Sequence, residues 1–239
     1  MTRLSPRCRL PRALAFVLLG AWPLFGALAE SAAPGQVLGD RKPAEVMTFH
    51  GAEWLERPDR EKEEKPDDVI NAMELKPGDV AVDMGCGTGY FARRMAKKVG
   101  PSGKVYGVDI QPEMLDLMKG LCAKEGITNV VPVLGAEDDP KLPKGAVDWM
   151  ILVDVYHEFQ NPKPMLAKMF ESLKPTGKIA LVEYRGEGDS AKHIKSEHRM
   201  SVKQVLSEWN PAGFELVDLQ EFLPAQHLFI FQKRPDRGK

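Results

Sequence analysis

The stretch of residues 80–91 constrains the fold of this chain more than any other part of the sequence. It begins as an apolar run that contains one acid, Asp83, and continues into glycines at every second position: Gly85, Gly87 and Gly89. Glycine has no Cβ, so the backbone there can turn sharply and approach a bound ligand closely. A helix that starts near Thr88 would direct unpaired N–H groups and the positive end of its dipole at the same ligand. The pattern therefore predicts a strand, a turn and a helix that together hold a nucleotide-type ligand.

The spacing of these glycines distinguishes two classes of nucleotide site. A dinucleotide fingerprint that starts at Gly85 requires glycine at position 90, where this chain has Tyr90. The arrangement of Asp83 and the three glycines resembles motif I of the class I S-adenosylmethionine-dependent methyltransferases, and the resemblance extends over about residues 47–232. It implies that S-adenosylmethionine is the cofactor and that Asp83 and the glycines bind it. The alternative functions are a nucleotide-cofactor oxidoreductase and an exported, non-catalytic binder of adenosine-type ligands.

A second acid follows the next apolar strand, residues 104–108. Asp109 lies 20 residues beyond the last of the glycines, where it is placed to bond the hydroxyls of a ribose. Because Pro112 is a favoured first residue of a helix, the following helix does not need Asp109 as its N-cap. The family resemblance implies that Ile110 lies against the adenine. It also implies that the loop after the third strand contacts the adenine edge through Ala136, Glu137 and Asp138.

Strand and helix patterns alternate along the chain from residue 67, which favours a parallel sheet with helices on both faces. The predicted helices are 67–75, 91–99, 112–124, 162–173 and 201–209. The predicted strands are 80–84, 104–108, 130–134, 147–153, 178–183, 214–221 and 226–231. The last two strands are joined by a short turn, so they must pair as an antiparallel hairpin. The resemblance implies a Rossmann-like, doubly wound α/β sheet of seven strands, mostly parallel, with an antiparallel last strand.

Polar residues follow the ends of several predicted strands. In an open α/β sheet, ligands bind at the carboxyl ends of the parallel strands. The fourth strand is followed by His157 and Glu158, and the fifth ends near Glu183 and Arg185. The last strand runs in the opposite direction, so its start, at His227, is expected at the same edge. We predict that these residues form a polar catalytic site at that edge.

Methyl transfer from a sulfonium depends mainly on positioning the acceptor, because the leaving group is already activated. A general base is needed only when the acceptor must lose a proton near attack. Histidine titrates in a suitable range, so His157 is the first candidate base and His227 the second. Asp154, in the segment that resembles the family's motif IV, is assigned to the cofactor. The run from Asp154 to His157 departs from the Asn/Asp-Pro-Pro-aromatic signature of enzymes that methylate amino groups in nucleic acids.

The first 29 residues have the features of an export signal. Four arginines precede the apolar segment 13–20, and residues 27–29 provide a small-x-small cleavage pattern. The predicted organisation is a signal peptide at 1–29, a linker at 30–46 and one domain at 47–239, with a cofactor half at about 67–160 and substrate-side elements at 47–66 and 183–230. The protein is expected to be periplasmic or extracellular if the signal is cleaved, and otherwise membrane-tethered or cytoplasmic.

The charge balance argues against a nucleic-acid partner. The chain has 33 Lys and Arg residues against 34 Asp and Glu, and without its first 29 residues it carries a net charge of −5. The cysteines Cys8, Cys86 and Cys122 lack the spacing of metal ligands, so no metal is expected. The expected partner is a small polar substrate, with a membrane contacted only through an uncleaved N-terminal segment.

Overall fold

The computed structural model describes residues 41–235, so the predicted signal peptide and most of the predicted linker lie outside the described residues. The strands are β1 Val80–Met84, β2 Lys104–Asp109, β3 Val130–Leu134, β4 Val147–Val153, β5 Leu173–Arg185, β6 Arg199–Met200, β7 Phe214–Gln220 and β8 Gln226–Lys233. The α-helices are α1 Arg60–Glu64, α2 Pro66–Ala72, α3 Tyr90–Val99, α4 Pro112–Lys124, α5 Pro162–Ser172 and α6 Val202–Trp209. None of the helices in this part of the chain is long and apolar enough to cross a membrane.

The strands form one twisted sheet in the order β3-β2-β1-β4-β5-β8-β7, and the two-residue β6 pairs with β5. The pairs along β3, β2, β1, β4 and β5 are parallel. The last strand, β8, lies between β5 and β7 and is antiparallel to both. The predicted Rossmann-like sheet and its antiparallel last strand are therefore confirmed.

Two apolar layers hold the helices against the sheet. Helices α2, α3 and α4 cover one face, where Met73, Met95 and Met118 are fully buried. Helices α5 and α6 cover the other face, where Met169 and Trp209 are fully buried. The central strands β4 and β5 are buried on both faces, which explains why they read as continuous apolar runs rather than as alternating patterns.

Several boundaries differ from the sequence prediction because long-range contacts set them. Strand β5 begins at Leu173 rather than at residue 178, because Leu173 pairs with Val147 across an irregular register. Residues 41–46, which belong to the predicted linker, also contact the sheet domain. Ala44, in the predicted linker, is buried and donates its N–H to the carbonyl of His157 (3.0 Å), while Arg41 forms an ion pair with Glu208 (3.0 Å).

Candidate active site

A deep cleft opens at the carboxyl ends of β1, β2 and β4, the edge at which open α/β sheets bind ligands. The cleft is partly open to solvent, and the space within it, counting its open side, is about 1,120 Å³. The predicted residues that line it are Asp83, Gly85, Gly87, Asp109, Ile110, Ala136, Glu137, Asp154 and Glu158. The remaining predicted residues lie beneath it or outside it: Gly89, Asp138, His157, Glu183, Arg185 and His227.

The glycine turn has a backbone that only glycine adopts easily. Gly85 and Gly87 have φ angles of 64° and 51°, in the left-handed region. A Cβ at Gly87 would come within 2.6 Å of Leu55, and one at Gly85 would overlap the side chain of Val155. Gly89 is the N-cap of α3 and packs against Met118 instead of the cleft. The turn therefore has no side chains of its own at Gly85 and Gly87, where the cleft passes between β1 and β4.

Two acids fix the turn to its neighbours. Asp83 accepts a hydrogen bond from the N–H of Ala92 (2.8 Å), which ties β1 to the first turn of α3. Asp109 accepts from the N–H groups of Gly87 and Gln111, each at 2.9 Å. Burial raises the pKa of Asp83 to about 7 and raises the pKa of Asp109 as well, while the backbone donors oppose that rise. Each Asp109 oxygen has a second lone pair, which a ribose hydroxyl can use.

Apolar surface next to Asp109 suits a flat base. Ile110 directly follows the acid and keeps 41% of its surface exposed at the cleft. Ala136 and Glu137, from the loop after β3, line the same end, whereas Asp138 does not. The cleft therefore combines a glycine turn, a carboxylate that can accept from ribose hydroxyls and an apolar side chain that can pack against a base. These residues fit S-adenosylmethionine.

The segment before the core covers the cleft, and the sequence did not identify its contacts. Met47 and Leu55 line the cleft. Gln111 holds this segment with both atoms of its amide: Oε1 accepts from the N–H of Phe49 (2.9 Å), and Nε2 donates to the carbonyl of Met47 (2.8 Å). Trp54 does not line the cleft but is half-exposed beneath the guanidinium of Arg57, 3.5 Å from its ring centroid. The only sequence feature that could have pointed to this role of Gln111 is its position directly after Asp109 and Ile110.

The predicted catalytic residues lie at the same edge of the sheet, but they do not line one common cavity. Strand pairing places His227 opposite Glu183, as the antiparallel prediction requires. The imidazole of His227 is held between Glu221 (2.7 Å) and Glu187 (3.1 Å). Arg185 forms an ion pair with Glu221 (2.7 Å) and donates to carbonyls of the turn before β8. Of the predicted set, Glu158 alone lines the cleft, and burial raises its pKa to about 7.

His157 belongs to a buried network behind the cleft. Its Nδ1 lies 2.6 Å from Glu183, which is fully buried, and its Nε2 lies 3.0 Å from Nδ1 of His198. Burial lowers the pKa of His157, but the adjacent Glu183 carboxylate outweighs that effect and raises the pKa to about 9. The imidazole is therefore charged at neutral pH, and both of its ring nitrogens are engaged.

This pair predicts a specific pH dependence of stability. The stabilisation by the His157–Glu183 pair is fully present below pH 6.5, where the histidine is protonated in both the folded and the unfolded chain. It declines as the pH rises and is lost above pH 9, and a shift of this size corresponds to about 3 kcal/mol. Urea unfolding at pH 6.5 and pH 9.5 measures the decline.

Glu183→Gln is the control for that measurement. It removes the carboxylate that raises the pKa of His157 and keeps a hydrogen-bonding side chain of the same size. The difference in stability between wild type and Glu183→Gln should therefore narrow from pH 6.5 to pH 9.5. A constant difference across this range would show that His157 is not charged in the folded protein.

Comparison with known proteins identifies the family. A sequence profile described as a methyltransferase domain matches residues 75–222. A demethylmenaquinone methyltransferase from Geobacillus sp. (strain WCH70) is 27% identical over 117 residues, which are 49% of this chain and 50% of that protein. Nocamycin O-methyltransferase from Saccharothrix syringae is 30% identical over 113 residues, 47% of this chain and 40% of that protein. The matched region thus spans about half the length, or less, of these relatives.

A solved structure shares most of the fold. The crystal structure of a SAM dependent methyltransferase from Aquifex aeolicus superposes with a TM-score of 0.73 and 25% sequence identity, covering 78% of this chain and 98% of that one. The profile covers the glycine turn, Asp109 and the loop after β3, which are the parts of the cleft that suit an adenosine ligand. This chain belongs to the class I S-adenosylmethionine-dependent methyltransferase family, and S-adenosylmethionine is its cofactor.

Proposed function

We propose that this protein transfers the methyl group of S-adenosylmethionine to a small acceptor bound beside the end of β4. The main support for this proposal is a hydrogen bond in which the N–H of Gly87, in the glycine turn, donates to Asp109 (2.9 Å). Both residues line the same cleft. That bond fixes the turn and the ribose-binding acid relative to each other before any ligand arrives. A preformed site of this kind lowers the entropy that binding must overcome.

The residues assigned to the cofactor are Gly85, Gly87, Asp109, Ile110 and Glu137. When bound, the cofactor supplies an activated methyl group on a sulfonium. The protein's task is then to exclude water and to hold the acceptor in line, and such positioning accounts for much of the rate of a two-substrate reaction. Met47 and Leu55, from the leading segment, line the cleft with apolar side chains.

We propose that neither histidine serves as the base. His157 and His227 lie outside the cleft lining, and each has both ring nitrogens engaged with neighbouring side chains. A base must reach the proton that it removes. The proposed transfer therefore relies on positioning and on the carboxylates that face the cleft.

Turnover with methyl-labelled S-adenosylmethionine tests this function. The purified protein is incubated with fractionated extracts of its host, and labelled products are identified by mass spectrometry. Quinones belong in the acceptor panel, because several relatives are named for demethylmenaquinone. We expect one class of small molecule to be labelled, with S-adenosylhomocysteine formed in equal amount. Tight cofactor binding without any labelled product would favour the non-catalytic binder instead.

A further inference from the structure

A second cavity lies outside the cofactor cleft, between the leading segment and the residues around β6. It adjoins the cleft, because Val46 lines both. Its walls are anchored to the sheet domain. Ala44 donates its N–H to the carbonyl of His157 (3.0 Å) on one side, and Arg199 pairs with Tyr184 of β5 on the other. The charged and titratable residues that line this second cavity are Arg41, Lys42, Glu45, Lys195, Glu197, His198 and Arg199.

The second cavity carries an excess of positive charge. Lys42, Lys195 and Arg199 bring three positive charges, against the two carboxylates of its lining. Arg41 adds no net charge, because it is paired with Glu208 (3.0 Å). The ion pairs that lysines form within residues 41–235 involve neither Lys42 nor Lys195. Both ammonium groups are therefore available to a ligand.

Arg199 has a hydrogen-bond donor that lacks a partner. Its Nε is buried, and none of the described residues supplies an acceptor for it. A guanidinium is always protonated, so this N–H has lost water and cannot avoid the cost by losing its proton. The arginines that pair with carboxylates in residues 41–235 are Arg41, Arg57, Arg60, Arg93, Arg94 and Arg185. Arg199 is not among them, and an anionic oxygen in the cavity would satisfy it.

His198 adds a neutral donor to the same cavity. The pKa of His157 is about 9, so at neutral pH its Nε2 carries a proton and donates to Nδ1 of His198 (3.0 Å). Burial and the adjacent charge of His157 lower the pKa of His198. The neutral imidazole of His198 therefore holds its own proton on Nε2, which is left to donate. The charged His157 behind it adds to the positive potential.

The cofactor cleft has the opposite character. The acidic residues that line it are Asp83, Asp109, Glu137, Asp154 and Glu158. Arg60 is the sole basic residue among its described lining residues, and it is engaged with Glu64 (2.7 Å) and the carbonyl of Leu55 (2.8 Å). An anion is therefore expected to enter the second cavity in preference to the cleft.

We propose that the second cavity is a binding site for a small oxyanion, a carboxylate or a phosphate group, held by Arg199, Lys195 and Lys42. The Nε2–H of His198 serves as a further donor. Guanidinium and ammonium groups bind both kinds of anion through charge-assisted hydrogen bonds. The site gives the protein a second ligand besides the methyl donor, and it does not depend on which acceptor is methylated.

Titration of the full-length protein with inorganic phosphate, succinate and sodium chloride tests this site. The measurement is the imidazole ¹⁵N spectrum at constant pH, in which the signal of His198 is the one absent from His198→Asn. His50 and His193 line neither cavity and serve as internal references. We expect phosphate, succinate or both to shift the His198 signal in a saturable way, and chloride at the same ionic strength to give no saturable shift. The stronger of the two ligands identifies the anion class.

Arg199→Gln should weaken the binding of that anion by about 10- to 100-fold, the range for a hydrogen bond to a charged group. Lys195→Gln should weaken it by about 2- to 5-fold, because an exposed charge contributes less. Lys203→Gln is the matched control. It removes the same charge from an exposed lysine of α6 that does not line the cavity, and it should bind as wild type does.

Two results would overturn the inference. A His198 signal that responds to chloride as it does to phosphate and succinate would indicate screening instead of binding. Equal anion affinities in Lys195→Gln and Lys203→Gln would place the anion elsewhere, and this pair decides the question even if Arg199→Gln fails to fold. Neither result bears on the proposed function, because binding of S-adenosylhomocysteine in the cleft is measured separately.

Discussion

Gly85→Ala is expected to abolish measurable binding of S-adenosylhomocysteine. Gly85 has φ at 64°, and a Cβ there would overlap Val155 at its Cγ2 and lie 3.1 Å from its Cβ. Valine is branched at Cβ and has few rotamers in which to withdraw, so the backbone after β4 must move. That movement displaces Asp154 and separates the turn from the cleft wall. Isothermal calorimetry measures the loss, and circular dichroism confirms that the variant is folded.

Gly126→Ala is the matched control for that variant. Gly126 has a similar φ of 69°, but a Cβ there meets nothing within 4 Å. The control therefore carries the strain of a left-handed alanine, about 1–2 kcal/mol, without the overlap. It should melt at a lower temperature than wild type and bind the cofactor product normally. Wild-type affinity in Gly85→Ala would show that the turn does not contact the ligand.

Asp109→Ala is expected to weaken cofactor binding by about 10- to 100-fold, equivalent to about 1–3 kcal/mol. The substitution removes the proposed ribose ligand, and it also leaves the N–H groups of Gly87 and Gln111 without their acceptor. Both consequences act on the glycine turn that binds the ligand. The substitution should therefore reduce the free energy of binding more than it reduces the free energy of unfolding. Calorimetry with S-adenosylhomocysteine, combined with thermal unfolding, measures the two effects separately.

Asp138→Asn is the appropriate comparison for Asp109. It removes a carboxylate from the loop that carries Ala136 and Glu137, but its side chain does not line the cleft. We expect its affinity to match that of wild type. If Asp109→Ala and Asp138→Asn bound equally well, the acid at the end of β2 would act only as an anchor for the turn.

The fold was predictable because its signals are local. Glycines at every second position, Pro112 at the start of α4 and the short turn before β8 each determine the structure of a few adjacent residues. The order of the parallel strands then follows from the family resemblance. Even the edge shared by Glu183 and His227 could be predicted, because strand direction alone determines it.

Side-chain partners at that edge were not predictable in the same way. His157 was a candidate base because it follows a strand. Its role depends on Glu183, 26 positions later, and on His198, 41 positions later. Glu64 lies within the charged run 61–65, yet it is buried and paired with Arg60. A pairing between distant residues leaves no periodic signal in the sequence.

The most direct test of this account is calorimetric titration of the purified wild-type protein with S-adenosylhomocysteine and, separately, with a nicotinamide dinucleotide. The glycine turn, Asp109 and Ile110 form one cleft suited to the first ligand. We expect one molecule of S-adenosylhomocysteine to bind per chain and the dinucleotide to give no signal. Failure of the folded protein to bind S-adenosylhomocysteine, or preferential binding of the dinucleotide, would contradict the assignment of this cleft.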